Sequence, residues 1–155
     1  MAMHIVLDHI NDWLIVHLRG SMDESAAIHL RRLFELNANN VAFNFRAVNG
    51  INSSGVRSWI SFIRSFCENR NVIYVEATPI VVMQLNMVPS FMHNCEVHSV
   101  YGSYACESSN LNQMVKFVTG ENMPKADESV PEFLCPRCNR AMEFEEEEGY
   151  FDFNT

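Results

Sequence analysis

The sequence predicts an α/β fold, a mixed sheet of about five strands with helices, followed by a small C-terminal β unit. Three observations carry that expectation. After an opening pair of β-rich segments, short apolar runs alternate with helical patterns of about 10 to 15 residues, the order that right-handed βαβ crossovers require. Val56, Trp59, Ile60, Ile63 and Phe66 recur on one face of an amphipathic helix. Beyond residue 101 the composition turns polar, then cysteine-bearing, then acidic and aromatic. With 48% hydrophobic and 19% charged residues in 155, the chain can bury a core and is not globally disordered.

Each element has a local signal. His4–Ile10 and Trp13–Arg19 flank a polar Asn11-Asp12 break and read as a hairpin with Leu14, Val16 and Leu18 on one face. Gly20 is expected to end the second strand. Ser21 and Glu24 then stand at capping-box spacing for a helix that Ala27, Leu30, Leu33 and Phe34 continue to about Leu36. Val41–Phe45 alternates as a strand, and 47–50 reads as a polar turn. Ser53 to about Cys67 is the clearest helix. Val72–Val75 suits a strand covered on both faces. Thr78-Pro79 supplies an N-cap and first helical position, Val88-Pro89 closes that helix, and 96–100 is the last strand. The expected organisation is an α/β domain over 1–101 and a second unit over 102–155.

Eleven basic against nineteen acidic residues give a net charge of -8, the wrong sign for neutralising phosphates or anionic lipid. Nucleic acid and membrane surfaces are therefore not expected partners. Nine acids and three bases between Lys125 and Thr155 concentrate -6 of that charge in the tail. The opening residues lack a basic, then long apolar, targeting pattern, and no run approaches the ~18 apolar residues of a membrane span, so a cytoplasmic home is expected. Five cysteines, an odd number, suggest reduced thiols or a metal site rather than a disulfide framework.

Ile51-Asn-Ser-Ser-Gly55 joins a strand to the start of the clearest helix, where free N–H groups and the helix dipole favour an anion. Two readings stand side by side. Asn52 or Ser53 is an ordinary N-cap with Gly55 serving a tight turn, or the turn presents a phosphorylatable hydroxyl. The element order, together with Val-Asn-Gly-Ile-Asn-Ser-Ser-Gly-Val-Arg-Ser-Trp over 48–59, resembles the STAS domain of bacterial anti-sigma-factor antagonists across about residues 3–101. That resemblance implies a non-catalytic bacterial regulatory protein with Ser53 as phosphoacceptor and Ser54 as second choice. Asn52, Ser53, Gly55 and Arg57 would face a protein partner of the anti-sigma or serine-kinase type. Asn52 stands where those antagonists usually carry Asp. A subset of the family with an Ile-Asn-Ser-x-Gly-Val-Arg turn, an Asn-Met pair (here Asn86-Met87) and a cysteine-containing tail is more similar still.

Cys135-Pro-Arg-Cys138 has the spacing of a zinc knuckle. The tail resembles a zinc ribbon, whose two CxxC knuckles face each other, with Cys106-Glu-Ser-Ser109 in the place of the other half. Cys106, Cys135 and Cys138 are the candidate ligands, and Cys95, His93, His98 or water are open choices for a fourth. The alternative is a metal-free scaffold packed through Phe133, Phe144, Tyr150 and Phe151; no cofactor is required, and zinc is the one the tail suggests. Glu145–Glu148 reads as a solvated acidic stretch without calcium-loop spacing. No catalytic signature occurs, His4, His9, His17 and His29 pair with nothing by spacing, and Met83 and Met87 read as adaptable packing, so no enzyme is expected. Two other functional classes remain: a scaffold whose contacts lie in the tail, and a module binding a small anion or nucleotide at the helix start. The oligomeric state is left open.

Overall fold

The computed structural model describes residues 2–155. β1 (His4–Ile10) and β2 (Trp13–Met22) form the expected antiparallel hairpin, turning on Asn11 at φ 55, a left-handed conformation that Asn tolerates. β2 continues past Gly20 to Met22. Gly20, at φ 92, accommodates an irregular step in register rather than a strand end. Ser21 is therefore strand, and the expected capping box is replaced by Asp23, which accepts from the Ser25 N–H at 2.9 Å and hydroxyl at 2.6 Å. The helix that follows, α1 (Ala26–Arg31), is short and tightens into a 3-10 turn over Arg32–Glu35.

β3 runs unbroken from Asn40 to Ile51, so the turn expected at 47–50 is strand. The extension of β2 is the reason: Arg19 pairs with Ala47, Gly20 with Val48 and Met22 with Ile51, giving those backbone groups partners. α2 (Ser53–Phe66) matches its periodicity and buries Trp59, Phe62, Ile63 and Phe66. The rings of Trp59, Phe62 and Phe66 meet Phe43, Phe45, Tyr74 and Phe91 mostly edge to face, at centroid distances between 5.0 and 5.8 Å. The Trp59 Nε1–H donates to the Tyr74 hydroxyl and to the Phe91 carbonyl, both at 3.0 Å, which satisfies the indole inside the core.

β4 (Asn71–Val75) leads to α3 (Pro79–Met87) and, after Val88, to the single turn α4 (Pro89–Met92). Each helix starts on a proline, whose missing N–H costs nothing there. Thr78 precedes α3 as expected, but its hydroxyl makes no cap bond and is buried without a partner among the described residues. The expected last strand is divided at His98 into β5 (Glu96–Val97) and β6 (Ser99–Cys106), because the chain changes sheets there: the His98 N–H still bonds the Tyr74 carbonyl of β4 at 2.8 Å, while its own carbonyl accepts from the Thr119 N–H at 2.9 Å. β7 (Leu111–Val118) and β8 (Glu143–Phe144) complete the strands among the described residues.

The main sheet has the order β1-β2-β3-β4-β5, antiparallel only at β1, and a second, antiparallel sheet has the order β7-β6-β8. The boundary expected at 101/102 falls inside β6. Ala77 bridges to Val100, and one buried cluster contains Trp59 and Phe91 together with Phe117, Tyr150 and Phe151. Residues on both sides of that boundary therefore share a core.

Candidate functional site

The turn before α2 is built from two directions. The Asn52 N–H is held by the Met22 carbonyl at 3.1 Å, which ties the turn to the end of β2. Asn52 is the N-cap: its Oδ1 accepts from the Gly55 N–H at 2.8 Å, and its carbonyl accepts from Val56 at 3.0 Å. The first two helical N–H groups, those of Ser53 and Ser54, are thereby left as the outward donors of the helix end. Ser53 is exposed, and the tail does not cover it. The half-buried Ser54 accepts from Arg57 Nη2 at 3.2 Å, which aligns the exposed guanidinium along the first turn.

Gly55 has a different role from its neighbours. It is buried, and a Cβ there would lie 1.9 Å from the Met22 carbonyl oxygen. The glycine permits close approach of α2 to β2 and offers nothing to a visitor. Asn52, Ser53 and Arg57 form the accessible part of the expected face. Glu24 joins it, accepting from Asn52 Nδ2 at 3.3 Å, and the Ser25 hydroxyl holds the Asp23 carboxyl below its usual range. A groove of about 380 Å³ between α1 and α2 opens nearby, lined by Leu30, Arg31, Phe34, Arg57, Ser58 and Phe62. Sequence reasoning missed Glu24 and the groove, since both depend on pairing across 28 or so residues.

The second cluster lies at the tip of the smaller sheet. The sulfurs of Cys106, Cys135 and Cys138 all lie within 4.8 Å of one another, and Cys106 Sγ is 3.4 Å from Cys138 Sγ. Ser109 completes the group, its Oγ 3.1 Å from Cys135 Sγ. Hydrogen bonding from the Ser109 hydroxyl lowers the Cys135 thiol to about 6, and the same side chain lowers Cys106. The three sulfurs could supply three of the four donors that tetrahedral zinc takes. Cys95, His93 and His98 do not join the cluster among the described residues. Cys95 sits instead beside Tyr74 and Cys67, where burial pushes its thiol up to about 12.

The tail folds back on the α/β elements. Asn86 Nδ2 donates to the Tyr150 carbonyl at 2.9 Å, and its Oδ1 accepts from the Phe153 N–H at 2.8 Å. Glu146 departs from the expected solvated stretch, accepting from both the N–H and the hydroxyl of Ser103 at 2.8 Å. Met83 and Met87, expected to pack, are 49% and 70% exposed and border a groove with Glu147 and Glu148. Phe133 and Phe144 pack against Tyr104, Phe151 packs against Phe117, and Tyr150 packs against Phe144 and Phe151.

The sequence matches no protein-family model and no curated protein. Among solved structures, the chain is similar to the anti-sigma factor antagonist SpoIIAA in its unphosphorylated form, with 18% identity and a TM-score of 0.43 over 61% of this chain and 86% of that one. It is also similar to an RsbS from Moorella thermoacetica carrying a serine-to-glutamate substitution, with 12% identity and a TM-score of 0.49 over 60% of this chain and 84% of that one.

Proposed function

We propose that this chain is a STAS-like regulatory module of the anti-sigma-factor-antagonist type, without catalysis of its own, that binds a protein partner of the anti-sigma or serine-kinase type. The docking face is formed by Asn52, Ser53 and Arg57, and phosphorylation of Ser53 switches it. One observation carries this reading: Asn52 makes the cap, so the exposed Ser53 hydroxyl has no structural task. Phosphate on Ser53 would add a charge of about -1.5 to -2, which the helix N-terminus accommodates while Glu24 and Asp23 sharpen the change seen by a partner. The reading places the protein in the bacterial cytoplasm. Separately, no helix among the described residues is long and apolar enough to cross a membrane.

The test compares wild type, Ser53→Ala and Ser53→Asp as full-length baits in native lysate, with recovered proteins quantified by mass spectrometry. Wild type and Ser53→Ala should retain a common partner that Ser53→Asp loses. Identical recovery by all three baits would remove the switch.

A further inference from the structure

The turns that carry the thiol cluster are built alike. Cys106-Glu-Ser-Ser109 ends at Asn110 with φ 58, and Cys135-Pro-Arg-Cys138 ends at Asn139 with φ 59. Both close with a left-handed Asn immediately after the fourth residue, so Ser109 occupies in the first turn the position that Cys138 occupies in the second. The contacts across the two turns agree with that correspondence: Cys106 Sγ meets Cys138 Sγ at 3.4 Å, and Ser109 Oγ meets Cys135 Sγ at 3.1 Å. Ligands on a tetrahedral zinc with Zn–S of about 2.3 Å stand roughly 3.8 Å apart, so small shifts would admit an ion.

The geometry points to a zinc site of three thiolates and one oxygen, in which Cys106, Cys135 and Cys138 bind as thiolates and the neutral Ser109 hydroxyl is the fourth, weaker ligand. Three thiolates on a divalent ion leave one excess negative charge. The Arg137 backbone N–H, which reaches Cys135 Sγ at 3.4 Å, helps to stabilise that charge by hydrogen bonding, and Arg140 Nη1 crosses to Ser108 Oγ at 3.1 Å, tying the two turns together. Cys135 and Cys106 are buried, whereas Cys138 is exposed and Ser109 half-buried, so the site opens to solvent on the side of Cys138 and Ser109. A hard oxygen in place of a soft thiolate weakens the hold on the ion, and the open side gives competing ligands access. The zinc in this site is accordingly exchangeable, unlike that of a closed four-thiolate knuckle.

The full chain, purified under reducing conditions without chelator, is examined by native mass spectrometry and then titrated with cobalt(II) and with zinc against a chromophoric chelator. Wild type should carry one zinc ion and develop thiolate-to-cobalt charge-transfer absorption. Ser109→Cys should bind zinc at least about tenfold more tightly and intensify that absorption. Cys138→Ser, at an exposed position that leaves the core intact, should bind more weakly than wild type by about a hundredfold. Absence of a stoichiometric ion from wild type, a bound metal other than zinc, or Ser109→Cys binding no more tightly than wild type would overturn the assignment.

Discussion

Glu24 and Asn52 meet across 3.3 Å, the amide of one donating to the carboxylate of the other, while the same Asn52 side chain caps α2 through its oxygen. An amide serves both contacts because it carries a donor and an acceptor, and a carboxylate carries only acceptors. Asn52→Ala should lose about 1 kcal/mol of stability with the cap. Asn52→Asp should keep the cap but lose less than about 0.5 kcal/mol through repulsion of Glu24, a cost that fades with salt and disappears in combination with Glu24→Gln. Urea denaturation at low and high ionic strength measures both.

Gly55 tests the division of labour within the turn. A methyl group there would collide with the Met22 carbonyl, which is backbone and cannot rotate away. Gly55→Ala should cost about 2 to 3 kcal/mol, whereas Ser53→Ala, at an exposed residue that does not cap, should cost less than about 0.5 kcal/mol. Thermal and chemical denaturation of the two variants side by side would show the contrast.

The helix α2 was legible because its apolar period is local, and so was the position of Ser53 at its start. Which residue caps was not, because Asn52 and Ser53 are both good caps and the choice follows from the Met22 bond that fixes the Asn52 backbone. The long ends of β2 and β3 were hidden for a related reason. Gly20 and the 47–50 segment each resemble punctuation in isolation, and each is strand only because the other is its partner. In the tail, the cysteine spacing announced the cluster, but burial of Tyr150 and Phe151 against the α/β core depends on the Asn86 clamp 64 and more residues away. Deleting 102–155 would therefore remove part of the core along with any tail contact.

Glu76 gives a pH dependence. Burial works against its charge, but the Tyr101 hydroxyl at 2.8 Å and the Asn44 amide, with Lys116 and Arg46 beyond them, hold the carboxyl below its usual range. A depressed folded-state value means that the contribution is complete above the unfolded carboxylate range and is lost as pH falls through the folded value. Glu76→Gln should therefore be less stable than wild type at neutral pH and lose less stability on acidification below about pH 4. Urea midpoints between neutral and acid pH supply the comparison.

The central claim, that a partner docks on the α2 start, is tested most directly by hydrogen–deuterium exchange on the chain alone and in complex with its co-purified partner. Protection should appear in peptides covering 50–60, together with the α1 side of the groove. Protection confined to 79–87 and 146–153, with 50–60 unchanged, would contradict it.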